Sequence, residues 1–164
     1  MKKTISTKQT PENIQEILRL LSETPDHLVR LSEGISEQQL HQPPGKGERS
    51  FQEVLAHLIN CESRSFEAIT LTLLLKEPTF TPIHPERDFG KLFSFDRLPF
   101  PDLLAYFKLR RIVLLHVLTS LTEQKWARVI RQEGKQRQES VYWQARGLAL
   151  HEWEHIQELE SKTI

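Results

Sequence analysis

The sequence predicts an all-α fold, a four-helix bundle with a long crossover between its second and third long helices. Three observations carry this expectation. Apolar residues recur at helical spacing through most of the chain, and no stretch alternates with period two over a strand length. Four long helical units emerge, three of them opened by a recognisable start signal. One proline-rich excursion separates the second unit from the third, which suits a bundle with one crossover connection.

The first helix opens at Thr10-Pro11, a capping residue followed by proline at the first helical position. It continues through Ile14, Ile17, Leu18, Leu20 and Leu21. Pro25 either kinks it or begins a second segment capped by Thr24 and ending near Gly34. Ser36-Glu37-Gln38-Gln39 reads as a short capped turn, and Pro43-Pro44-Gly45-Lys46-Gly47 breaks the chain. Ser50 with Glu53 three residues on forms a capping box, and the second long helix runs from about Phe51 to Leu75. Prolines 78, 82, 85, 99 and 101 then punctuate an excursion whose apolar content is mainly phenylalanine. It is too long for a bare connector, so it should pack over the bundle or over a site. A third helix fits Asp102 to about Leu121. A polar break follows over 131–139, and Ser140 caps a last helix ending near Glu160.

The chain has 164 residues, the size of one domain with one core, so a single domain over 1–164 is expected, with 1–10 as a flexible N-terminus. Lys plus Arg and Asp plus Glu balance at 22 each, which removes the positive field that dominates nucleic-acid affinity. No apolar core follows the basic start and no run approaches a membrane span, so a cytoplasmic protein without membrane contact is expected. Cys61 is the one cysteine, which excludes an intrachain disulfide and leaves histidine and carboxylate to hold any metal.

The densest chemical signal is His151-Glu152-Trp153-Glu154-His155. It places two imidazoles about 40° apart on one helical face, bordering the side carrying Leu148 and Leu159. The segment matches the H-E-x-x-H helix of zinc proteases, in which the glutamate is the base. That reading fails on its third ligand, which should lie downstream where only nine residues remain, and Glu158 stands where the extended pattern needs glycine. A third ligand must come from upstream, and His57 lies at the edge of the second long helix's apolar stripe. Three neutral imidazoles with an open position suit a zinc-like site for water or a substrate atom. His57 alone would more often be a partly buried histidine with its own partner.

Near these ligands, Glu152 could orient a substrate or accept a proton, or could be a carboxylate at the bundle rim. Cys61, four residues after His57, could ligate or react, although an intracellular cysteine is more often a small buried hydrophobe. Glu62 is turned too far from His57 to share an ion and suits an inter-helix salt bridge. Arg110 and Arg111 could bind an anionic substrate or cofactor, with an inter-helix ion pair as the stronger reading. Among the other histidines, His84 in the excursion is the one that could approach a site.

The sequence resembles the DinB-like superfamily. The resemblance rests on the Ser50-led helix with "EVLAHLINCE", Arg110-Arg111 in the third helix, Lys125-Trp126, Gly134 and the closing "LALHEWEHIQEL", in that order from about Ile14 to Leu159. It implies an antiparallel four-helix bundle whose metal ligands fall on His57, His151 and His155. The family pattern often has aspartate after the first histidine of the final pair, where this chain has Glu152. Members with assigned activities are thiol-dependent transferases and isomerases that use bacillithiol or mycothiol. The resemblance therefore implies a divalent metal, zinc or nickel, and a low-molecular-weight thiol acting on a small electrophile. A non-enzymatic, stress-related metal-binding bundle and a metal-dependent hydrolase with Glu152 as base are the alternatives. Bundles of this kind often pair through exposed helix faces, so a homodimer is expected.

Overall fold

The computed structural model describes residues 3–162. Four long helices dominate: α1 (Pro11–Ser32), α3 (Phe51–Leu74), α5 (Phe100–Thr119) and α7 (Val141–Lys162). Short helices α2 (Glu37–Leu40), α4 (Lys91–Phe93) and α6 (Glu123–Trp126) lie in the connections. The start signals work as their chemistry dictates. The Thr10 hydroxyl accepts from the Asn13 N–H, and the Ser50–Glu53 and Ser36–Gln39 pairs close reciprocal capping boxes. Pro25 does not divide α1, which runs through it as one helix.

Helix α1 packs against α5 and α7, and α3 packs against the same two, so α1 and α3 sit on a diagonal. Contacts fix the directions. Phe51 and Phe100 meet near the starts of α3 and α5, with ring centroids 5.4 Å apart, so these two helices run parallel. His27 meets Trp153 and Glu160 near the ends of α1 and α7, which also run parallel. Two helices thus point each way, with the antiparallel contacts between α3 and α7 and between α1 and α5.

This arrangement explains the long excursion. Because α5 begins beside the start of α3, the chain leaving α3 must return along its whole length, about 36 Å for 24 residues. The return path, a π-helical turn at Pro85–Gly90 followed by α4 and a turn at Phe95–Arg97, lies against α3. It passes His57 on the way.

The all-α bundle carries one minor addition, and the N-terminal segment departs from the expectation of flexibility. A small three-stranded sheet is present: β1 (Thr79–Phe80) pairs in parallel with β2 (Val129–Gln132), and β2 forms an antiparallel hairpin with β3 (Gln138–Ser140) across a turn at Gly134. Strands of two to four residues are too short to show an alternating pattern. Phe80 and Ile130 bury against Ala68 and Leu71 in the C-terminal half of α3, away from His57. The N-terminal segment is also not loose over its described part. Ile5 is 4% exposed in the core, Tyr142 donates to the Ser6 carbonyl at 2.6 Å and Arg146 to the Ile5 carbonyl at 2.8 Å. Met1 and Lys2 lie outside the described residues.

The bundle interior holds two apolar clusters, one around Ile17, Leu21, Leu114 and Ala145 and one around Leu28, Leu55, Phe107 and Ile156. Helix α5 is apolar nearly all round because its outer side also carries large hydrophobes. Leu109 and Ile112 are each 64% exposed. No helix among the described residues is long and apolar enough to cross a membrane.

Candidate metal centre

The antiparallel contact of α3 with α7 brings His57 against His151 and His155. The three rings are mutually packed, with centroids 5.0 Å (His57–His151), 4.8 Å (His57–His155) and 4.7 Å (His151–His155) apart. His57 Nε2 and His151 Nε2 face each other at 3.2 Å. Burial is the largest influence on all three imidazoles and holds each below the ordinary histidine pKa, so the rings are neutral with lone pairs to offer.

Carboxylates fix two of the rings. Glu86 accepts from His57 Nδ1, and Glu158 accepts from His155 Nδ1 at 3.1 Å. A carboxylate is acceptor only when ionised, so each interaction places the ring proton on Nδ1 and leaves Nε2 as the ligand atom. His151 Nδ1 is buried without a hydrogen-bond partner among the described residues. Two opposed Nε2 atoms, a third ring against both and carboxylates behind two of the rings are a donor set that fits a divalent cation.

Cys61 belongs to this group. Its Sγ lies 3.7 Å from His57 Nε2, and the donor atoms of His57, Cys61 and His151 all lie within 4.8 Å of one another. His155 is absent from that tightest set although its ring touches both of the other imidazoles; its Nδ1 is turned to Glu158. Burial pushes the Cys61 thiol up to about 12, helped by the charges of Glu86 and Glu152.

Glu86 was not legible as a site residue, since it stands in the excursion outside any periodic pattern. Its place is set locally. His84 Nδ1 accepts from the Arg87 N–H, and Asp88 accepts from the His84 N–H at 2.7 Å, closing the turn that carries Glu86. His84 therefore caps the turn and does not enter the donor set.

Glu152 and Arg111 are enclosed in the core, and Arg110 is half-buried beside them. Glu152 is 0% exposed and Arg111 1%, because the 100° step from His151 turns Glu152 into the bundle axis. Arg111 Nη2 donates to Glu62 and to Glu152, each at 2.6 Å, and lies over the Phe107 ring. Burial raises the Glu152 carboxyl above the ordinary carboxylate value, opposed by Arg111. Arg110 Nε donates to Glu62 at 3.2 Å and its guanidinium packs over Phe66 and Tyr106. These residues form an ion-pair network joining three helices, and Glu62 is its bridge.

Two cavities flank the histidines. One, of about 400 Å³, is lined by His57, Glu86 and the residues around them. The other, of about 280 Å³, is lined by Cys61 and His151 with Pro85, Trp143 and Leu148.

The family model of the DinB superfamily matches residues 20–159. The chain belongs to the DinB superfamily. Among solved structures, this DinB-superfamily chain is similar to YfiT from Bacillus subtilis, described as a probable metal-dependent hydrolase with an unusual four-helix bundle topology. The two share 18% identity over 98% of this chain and 91% of that one, with a TM-score of 0.83. At that identity the likeness shows the fold. A search of curated proteins found no significant match.

Proposed function

We propose that His57, His151 and His155 hold a divalent cation, zinc or nickel, and that the protein is an enzyme joining a low-molecular-weight thiol to a small electrophile. The observation that carries this reading is the convergence of three neutral imidazoles, two of them 3.2 Å apart through Nε2, between two cavities. When bound, a divalent cation supplies positive charge that lowers the pKa of a thiol or water reaching it. The histidines bind, Glu86 orients His57 and Glu158 orients His155, and Cys61 lines the cavity beside His151.

Thiol transfer is favoured over hydrolysis by where the bases are. A free thiol ionises near pH ~8.5 and needs less help than water. Glu152, the base suggested for hydrolysis by the sequence, is enclosed with Arg111 in the core. In the transfer, sulfur forms the new bond to the electrophilic carbon, the leaving group departs with its electron pair, and the thiol proton passes to solvent. A second reading, a metal-dependent hydrolase, draws on the description of YfiT and on Glu86, a carboxylate lining the larger cavity.

The test is a matrix of reactions. Low-molecular-weight thiols are combined with alkyl halide and epoxide electrophiles, and esters and amides are offered separately, each with native and chelator-treated protein. Thiol conjugation lost on chelation supports the transferase. Chelator-sensitive hydrolysis alone replaces it with the second reading. No turnover in any arm, with metal retained, leaves a metal-binding protein.

A further inference from the structure

We infer that the cavity beside Cys61 and His151 receives the uncharged hydrocarbon body of a small ligand, and that Gly147 sets how large that body is. Its part in turnover rests on the enzyme reading, whose electrophile it names as a neutral, apolar one. The cavity holds about 280 Å³, and apolar cavities of about 150 Å³ already accommodate a benzene ring. Pro85, Trp143 and Leu148 supply apolar wall, and Ser65 and Gln144 are polar but uncharged. Arg64 and Glu139, which also line it, are opposite in sign and engaged with other side chains. The Arg64 guanidinium lies over the Phe80 ring, 5.6 Å from its centroid, and the Glu139 carboxylate accepts from Gln144 Nε2. These two leave no net charge to draw an ion, and a charged ligand would give up hydration there for no free partner.

Gly147 stands on α7 between Trp143 and His151, four residues from each, so the three lie along one side of the helix, and all three line the cavity. A glycine inside a 22-residue helix is destabilising relative to alanine. It is justified structurally where a neighbour comes too close for a Cβ or where the backbone needs a positive φ. Neither holds at Gly147. Its φ is not positive, and a Cβ added to it would meet nothing within 4 Å. Bundle packing therefore gives no reason for the glycine, whereas a ligand in the cavity does. A side chain at 147 would project between Trp143 and His151 into the space that the ligand fills.

The full-length protein is titrated with 2-phenylethanol and with its charged counterparts phenylacetate and 2-phenylethylamine, and the indole N–H of Trp143 is followed by nuclear magnetic resonance. 2-Phenylethanol should shift that resonance saturably and bind about fivefold or more tightly than either ion. Gly147→Leu fills the cavity and should weaken the binding about tenfold or more. Gly147→Ala should weaken it about threefold while the melting temperature rises by about 1–3 °C, a pairing that a glycine kept for packing would not produce. If Gly147→Leu fails to fold, Gly147→Ala carries the test alone. No saturable shift with 2-phenylethanol, equal binding of the ions, or unchanged affinity in the folded Gly147 variants would overturn the inference. Binding is read without turnover. 2-Phenylethanol bound by a protein that conjugates no thiol therefore overturns the enzyme reading alone, and thiol conjugation without that binding overturns this inference alone.

Discussion

Arg111 Nη1 donates at 2.5 Å to the backbone carbonyl of Leu21, the carbonyl that Pro25, four residues on, cannot engage because it has no N–H. A guanidinium from α5 thus replaces the missing helical bond of α1, and its other nitrogen joins Glu62 of α3 to Glu152 of α7. The bundle centre is pinned by a single side chain that reaches all the other long helices. Arg111→Met leaves the buried Glu152 without its cation and Glu62 with Arg110 alone, and should cost about 3–5 kcal/mol of stability. Urea denaturation followed by circular dichroism measures this, and a cost below about 1 kcal/mol would contradict the pinning role.

Glu152→Gln keeps the shape and one oxygen facing Arg111. Metal content and thiol turnover should be retained in this variant, whereas a base at the reacting atoms would lose turnover by about two orders of magnitude or more. Steady-state rates on the metal-loaded protein decide between the two.

Glu86→Gln removes the charged acceptor behind His57 without touching a ligand. Metal affinity should fall about 10–100-fold with the melting temperature nearly unchanged. Competition with a chromophoric chelator reads the affinity, and an unchanged value would mean that Glu86 does not orient the ring.

Cys61 and His155 are the two candidates to complete the pair formed by His57 and His151. The proposed ligand set predicts that His155→Ala loses far more metal affinity than Cys61→Ala. It also predicts that the cobalt-substituted protein lacks a thiolate charge-transfer band. A strong band that disappears in Cys61→Ala would exchange the two residues' roles.

Ile5→Ala should destabilise the protein by about 2 kcal/mol and expose the N-terminal segment to protease, because Ile5 is a core residue held by Tyr142 and Arg146. Thermal melting and limited proteolysis check both effects.

Much of this was legible in the sequence because it depends on local chemistry. The caps at Thr10, Ser36 and Ser50 mark helix starts from neighbouring residues alone. The four-residue spacing of His151 and His155 puts them on one face whatever surrounds the helix. What escaped depends on distant packing. An inter-helix ion pair is the stronger sequence reading of Arg111, but its bond to the carbonyl that Pro25 has freed in α1 depends on packing the sequence does not show. Glu152 lies close enough to the histidine face on a helical wheel to suggest a base, and only the arrival of Arg111 shows that it points inward. Glu86 and the strands at 129–132 and 138–140 lie in segments too irregular or too short to have a period. Ile112, apolar and at helical spacing, is 64% exposed, because periodicity marks a helix without showing which of its faces is covered.

The central claim is that three histidines from two helices hold one divalent cation. Its most direct test is elemental analysis of protein purified without a histidine tag, set beside the His57→Ala and His151→Ala variants. About one zinc or nickel per chain is expected in the native protein, with most of it lost in either variant and helical content retained. Native protein without metal, or variants that keep their full complement, would contradict it.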